Sequence, residues 1–377
     1  FYSFPVFWPY LISELGMTES QLGMITAFYF IPVAILAIFI GRALDQYSVK
    51  NFMMIGSIIY AVGLFSLSFI NSYWSLVMIY LTILALGSIM MGNLAVAKLI
   101  SNWFDKNAGR ALGIAAIGIS FSGVVLPLVV DPLLDLVGWR NVYVIFAAVV
   151  LFIILPLIFF VVIDDPKTVN QVKDGIKRDI KEESIPQEMN SKDLLSKKVF
   201  WVISLAFAFQ FLSMMGVIAF LPIHASKMGL DEIWNILGFP VKQYVFAYAL
   251  AAFGGVLGKL IFGYLMDLMR AAYPSMIAMS LQATGIFGFT YFSEPSIFFL
   301  SALIFGLGYG AATPLMTACY LRAFGSHNLG KARGISSPIV APLQPIGILI
   351  TSILIGYKDT YFVAFNIMGC FALVAVV

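Results

Sequence analysis

The chain has 377 residues, 61% apolar and 11% charged, with a formal net charge of +3. A water-soluble domain carries about 25% charged residues, so these charges are too few to cover a water-facing surface. Apolar runs of 18 residues or more point to helices in lipid. They also exclude a β-barrel, whose segments are short and alternate in polarity.

In chain order, apolar segments run 1–13, 21–44, 51–70, 74–103, 110–131, 139–163, 199–223, 243–266, 272–292, 296–322, 334–356 and 360–377, twelve in all. The first and last are too short to cross a bilayer, so the chain is expected to be clipped within its first and last helices. A polar stretch, 164–198, rich in Lys, Asp and Glu, interrupts the series. It reads as a cytosolic linker with at most one surface helix. The expected fold is therefore an all-α membrane protein of twelve helices, with a six-helix half over 1–163 and another over 199–377.

Basic residues sort by side. With the linker in the cytosol, eighteen of the 22 Lys and Arg residues fall on the cytosolic side, and Arg140, Lys227, Lys242 and Lys358 fall opposite. That bias places both termini in the cytosol. An internal repeat is also legible. Gly41 to Asp45 (GRALD) ends the second segment and Gly263 to Asp267 (GYLMD) ends the eighth, an offset of 222. Phe104 to Arg110 follows the fourth segment and Phe324 to Lys331 the tenth, their phenylalanines 220 apart. Landmarks at one offset in corresponding loops predict two halves in parallel topology, related by a pseudo-two-fold and rocking against each other.

GRALDQYSVK (Gly41 to Lys50) resembles the cytosolic loop signature of the major facilitator superfamily: a glycine, an aspartate four later, then a basic residue. Gly41 is expected to let another helix approach closely, and Asp45 to accept from a helix N-terminus. Ser48 and Val49 stand where that signature has a further glycine. Within the superfamily, several stretches resemble the branch of monocarboxylate transporters and oxalate/formate antiporters. They are Asn102-Trp103-Phe104, Ala108 to Gly123, Gly138-Trp139-Arg140, the opening Phe4 to Gly23, and Leu321 to Gly334. The antiporter helix-five pattern is partial: Gly118, Gly123 and Pro127 are present, but valines occupy 129 and 130.

An ionisable group deep in a membrane helix is a functional candidate. Lys259 lies about seven residues, roughly 10 Å, before the end of the eighth segment. The resemblance implies more. In that branch an arginine four residues before this helix's glycine binds the substrate carboxylate, and Lys259 stands four before Gly263. Lysine keeps the charge and loses the bidentate fork. The alternative for Lys259 is a structural or gating lysine. Lys98, nearer a helix end, is expected to snorkel to the headgroups. The antiporters' second cation, a lysine in helix eleven, is absent; that segment offers Ser336, Ser337 and Gln344. One cation suits a monoanion better than a dianion. The aspartate that proton-coupled members carry one turn before the arginine is Gly255 here. His224 is the proton-coupling candidate, with an interfacial histidine as its plainer reading.

Further polar candidates are Asn93, Gln210, Gln282, Asn366, Tyr29 and Tyr309, with a bond to a neighbouring helix as the plainer reading of each and Asn93 and Tyr309 ranked first. Gating is expected from Gly41, Arg42, Asp45, Lys50 and Arg110, and from Gly263, Asp267 and Arg270. Cys319 and Cys370, both in apolar segments, suggest neither disulfide nor metal site. No cofactor, metal or catalytic cluster is expected, and the chain is not read as an enzyme. The resulting expectation is secondary active or facilitative transport of a small organic monoanion by a monomer, with a proton or counter-anion as partner. The membrane is expected to be a bacterial-type inner membrane, and no nucleic acid is involved. The rivals are an exporter of amphipathic molecules and a non-transporting, transporter-like sensor.

Overall fold

A computed structural model describes residues 3–104, 108–171, 189–236, 238–292, 294–358 and 361–376. Helix α1 (Phe4–Leu15) ends at Gly16, whose left-handed backbone (φ 64°) allows the turn into α2 (Glu19–Phe28). Thr18 and Gln21 start α2 with a reciprocal capping box. Then follow α3 (Phe30–Gln46), α4 (Val49–Leu67), α5 (Tyr73–Ile79), α6 (Ala85–Met91), α7 (Asn93–Trp103), α8 (Ala108–Val149) and α9 (Leu155–Val161). Two π-helical segments, Tyr80–Leu84 and Val150–Ile154, join α5 to α6 and α8 to α9.

The later residues form α10 (Ser191–Ser196), α11 (Lys198–Ile218) and α12 (Leu221–Lys227), then a hairpin of β1 (Ile233–Ile236) and β2 (Phe239–Lys242). After it come α13 (Gln243–Leu268), α14 (Ala272–Tyr291), α15 (Pro295–Gly310), α16 (Ala312–Val340), α17 (Leu343–Lys358) and α18 (Tyr361–Val374). The antiparallel register sets Ile233 opposite Lys242, which delivers Lys242 to the start of α13. Below, the end of the molecule bearing this hairpin is the hairpin end, and the end bearing residues 164–198 is the linker end.

Eight helical stretches among the described residues are long and apolar enough to cross a membrane. Phe152, Phe160 and Trp74 are more than 70% exposed, a surface that only lipid tolerates. Spacing alone does not reveal where the chain turns inside the two longest helices. Gly138 within α8 has φ 77° and ψ 155°, and Gly325 within α16 has φ 75° and ψ 167°. Only glycine occupies that region without strain, so each breaks its helix sharply. Gly138→Ala is expected to cost about 1–3 kcal/mol, read as a lower melting temperature; an unchanged melt would mean that the turn does not need glycine.

Helices pack closely where small residues meet backbone. A Cβ at Gly254 or Gly258 on α13 would stand 2.5 and 2.3 Å from carbonyl oxygens of α15, and one at Gly347 on α17 would stand 2.0 Å from the Leu212 carbonyl of α11. The motifs flagged by resemblance act as staples. At the hairpin end, Glu14 accepts from Trp139 Nε1 (2.8 Å) and Arg140 Nη1 (2.7 Å), while Arg140 stacks on Trp139. These two bonds, the Trp139 one first, hold the Glu14 carboxyl below its usual range. At the linker end, Trp103 Nε1 donates to the Ile163 carbonyl (2.7 Å) and Asn102 to that of Asp164 (3.0 Å). The Asp164 carboxylate accepts from the Lys50 backbone N–H (2.7 Å) at the start of α4. In the later residues, Asn328 and Lys331 bind the backbone of Met189.

Candidate functional site

Several expected pocket residues sit where a span is interrupted. Tyr29 occupies the junction of α2 and α3. Asn93 opens α7 after Gly92, whose extended backbone (φ −87°, ψ −153°) breaks the fourth apolar segment. A Cβ at Gly92 would lie 2.4 Å from the Ser88 carbonyl, so the break holds a glycine by space. Tyr309 lies two residues before Ala311, which separates α15 from α16. Gln344 follows the Ala341–Pro342 junction of α16 and α17. Interrupted helices leave backbone N–H and C=O groups unspent near mid-span, which a transporter uses to hold its cargo.

The surroundings of these side chains differ. The Tyr29 hydroxyl donates to Ser88 Oγ at 2.5 Å, tying the α2–α3 junction to α6. Asn93 is exposed, as is Ser337, and Gln344 is half-buried. Tyr309 is 8% exposed and its ring lies tilted against that of Phe305, with its hydroxyl turned to α13. A Cβ at Gly255 would stand 3.1 Å from that hydroxyl. Tyr309 therefore fills the space that a side chain at 255 would take. Lys259, half-buried, follows one turn further along α13, so Tyr309 and Lys259 belong to one stretch of the α13–α15 contact.

Other expected residues are engaged in packing. His224 is 6% exposed, with Nε2 3.0 Å from the Phe289 carbonyl and its ring against Tyr361 and Phe365. Those contacts suit the plainer, structural reading. Gln282 donates to the Gln210 carbonyl (3.0 Å) and Gln210 to that of Gly308 (3.3 Å), linking α14, α11 and α15. Asn366 bonds back to the Phe362 carbonyl.

At the linker end the expected gate is only partly described: the side chains of Asp45, Arg110 and Asp267 lie outside the described residues. Arg42 and Arg270 are exposed, and Lys50 Nζ lies over the Phe159 ring at 5.1 Å. The close approach expected at Gly41 is not made in this structure, and none is made at Gly263. The nearest atom to a Cβ at Gly41 would be 3.8 Å away, and none lies within 4 Å at Gly263. The tight glycine contacts occur inside the spans instead. Arg322, counted in the sequence only for its side of the membrane, donates to the Met269 carbonyl (2.6 Å) and to that of Met266, closing the end of α13.

The sequence reading missed a set of contacts at the hairpin end. Lys242 Nζ lies 2.7 and 2.9 Å from the Asp135 oxygens, 3.3 Å from Asp131 Oδ1 and 3.0 Å from the Tyr10 hydroxyl. Its backbone N–H donates to Asp131 Oδ2 (2.8 Å), and the Tyr10 hydroxyl donates to Asp135 (2.5 Å). Nearby, Lys227 pairs with Glu19 (2.8 Å), and the Tyr361 hydroxyl donates to the same carboxylate. Ser352 donates to the Ser20 carbonyl (2.5 Å), and the Phe220 ring fills the space beside Gly23 and packs edge-on against Trp8. All of these join residues before 164 to residues after 198. The available signal was that Lys227 and Lys242 are two of only four basic residues assigned to that side.

Against known proteins, the family model of the Major Facilitator Superfamily matches residues 1–343. The chain belongs to that superfamily. Its members are membrane transporters and not enzymes, so this chain is an integral membrane transporter. Among its relatives in the superfamily is an MFS-type transporter of Gibberella moniliformis, 24% identical over 84% of this chain and 71% of that one. A probable hexose phosphate transport protein of Chlamydia muridarum is 26% identical over 89% of this chain and 76% of that protein. The fold is similar to the crystal structure of a bacterial homologue of the human lysosomal transporter Spinster in an inward-facing, occupied conformation. That likeness has a TM-score of 0.73 at 15% identity, over 99% of this chain and 91% of the other.

Proposed function

We propose that the chain carries a small organic monoanion, a monocarboxylate, by alternating access between a half over 1–163 and a half over 199–377. The observation that carries this reading is Lys259, a half-buried cation sixteen residues into α13. That is about 24 Å along the helix from the hairpin end, where a charge needs an anionic partner or a wet cavity. Lys259 binds the carboxylate. Asn93, Tyr309, Tyr29, Ser337 and Gln344 shape the pocket from the interrupted helices. The exposed start of α7, with N–H groups that lack intrahelical acceptors, adds positive potential beside Asn93.

Twelve crossings follow if Gly138 divides Phe121–Val161 in two and if α1, α14 and α18 each count as one beside the eight apolar stretches. The scarcity of basic residues at the hairpin end supports an outward orientation for it. In this state that end is closed by side-chain contacts and the linker end is not packed at Gly41 and Gly263. That arrangement supports an inward-facing form, in a bacterial-type inner membrane with both termini cytosolic.

A second reading, a phosphorylated sugar as cargo, is favoured by the Chlamydia relative's name. The single deep lysine disfavours it, because a phosphate monoester carries close to two charges at neutral pH. Uptake of labelled formate, lactate, pyruvate and a hexose phosphate into proteoliposomes separates the two. Saturable uptake of a monocarboxylate is expected, and saturable uptake of the hexose phosphate alone would replace this reading with the second.

A further inference from the structure

We propose that the cluster of Tyr10, Asp131, Asp135 and Lys242 is a proton-binding site that sets whether the hairpin end is closed or open. It rests on geometry and on membership of a transporter superfamily, and not on the identity of the cargo.

Asp131 and Asp135 stand four residues apart on α8, so both project to one face. The side chain of Asp131 is 1% exposed, that of Asp135 47% and that of Lys242 19%. Lys242 arrives from the other side of the interface, 107 residues from Asp135 and 232 from Tyr10. Two carboxylates therefore share one ammonium, and the hydroxyl of Tyr10 on α1 bridges Asp135 and Lys242. Tyr244, on the first turn of α13, is the other titratable group within electrostatic reach of these charges. Burial alone would pull the Lys242 ammonium down, but its bonds to Asp135 and Tyr10 outweigh that and hold it above the usual lysine range. The lysine is held in its charged form, and the group whose proton affinity the pair controls is Asp135.

Opening the hairpin end withdraws Lys242 with its half. The carboxylates then face each other across one helical turn with no ammonium between them. Asp135, half-exposed and 2.7 Å from the ammonium in the closed state, then loses its neutralising partner, so its affinity for a proton rises above that of the closed state. The open state therefore binds more protons, and acid shifts the equilibrium towards it by up to about tenfold per pH unit for each extra proton. When the end closes, Lys242 displaces the proton to the side from which it came. Protons at this site therefore adjust the gate without being carried across.

Glu19 with Lys227 and Tyr361 forms a second contact across the same interface, and it supplies the control. Spin labels at Asn71→Cys and Glu294→Cys, both exposed at the hairpin end, report the opening by electron–electron distance. They are placed in the full chain with Cys319→Ser and Cys370→Ser. The long-distance population is expected to grow as pH falls from 7 to 4.5. Lys242→Gln is expected to raise that population at pH 7 and to remove most of its pH dependence, and the milder Asp135→Asn to flatten the response in part. Lys227→Gln is expected to open the end somewhat while keeping the response. A distance distribution indifferent to pH, or a pH response that survives Lys242→Gln and vanishes in Lys227→Gln, would overturn the proposal.

Discussion

Lys259→Gln is expected to lower kcat/KM for monocarboxylate uptake by roughly 10- to 150-fold, with Lys259→Arg retaining most of the activity. The magnitude follows from losing a charged hydrogen bond to a desolvated anion, about 1.5–3 kcal/mol. Glutamine keeps a donor and similar length, so the difference reads the charge. The half-buried position makes the substitution tolerable to the fold. Uptake is therefore expected to fall by far more than any change in folded protein explains. Uptake at the wild-type rate in Lys259→Gln would take Lys259 out of the mechanism.

Gly310→Ala is expected to destabilise the protein by about 1–3 kcal/mol, a loss of several degrees in melting temperature. A Cβ there would stand 2.1 Å from the Gly255 carbonyl oxygen and 2.4 Å from its Cα. Both are backbone atoms, so no rotamer change relieves the clash and the two helices must part. Parting them draws Tyr309 away from α13, so uptake is expected to fall with stability. Gly263→Ala is the matched control. It lies on the same helix, in a motif expected to need glycine, yet nothing stands within 4 Å of its Cβ position. That variant is expected to melt as wild type in this state, and equal losses in the two variants would show that packing distance is not what selects glycine here.

The spans were legible because lipid imposes a simple rule of length and polarity. The segment expected over 243–266 is α13, Gln243–Leu268, and that expected over 272–292 is α14, Ala272–Tyr291. Interruptions were less legible. Gly92 reads as one glycine among several in an apolar run, and its break depends on the crowding of Ser88, a contact that spacing does not reveal. The tight glycines were misplaced for a related reason. A small residue shows where a helix can approach, and only the partner helix shows whether it does.

The motifs Asn102-Trp103 and Trp139-Arg140 were flagged by resemblance alone, and their staple roles emerged only with the carbonyls and carboxylate they reach. The hairpin-end cluster was invisible for a different reason. Its acids and its lysine are more than a hundred residues apart, and each alone looks like an ordinary charge at a helix end. In the sequence the lysine served only for counting sides. Among so few charges, Lys242 turned out to mark a place where the structure gathers acids and a lysine.

Lys242 and Lys259 sit on one rod. Lys242 caps α13 and Lys259 lies seventeen residues further on, just past Gly258, one of the points where α13 bears closely on α15. Lys242 stands about 24 Å from that bearing point and Lys259 one residue from it. Tilting about it, α13 works as a lever: a displacement too small to notice at Lys259 sweeps Lys242 through several times the distance, enough to seat or unseat a bond whose tolerance is a fraction of an ångström.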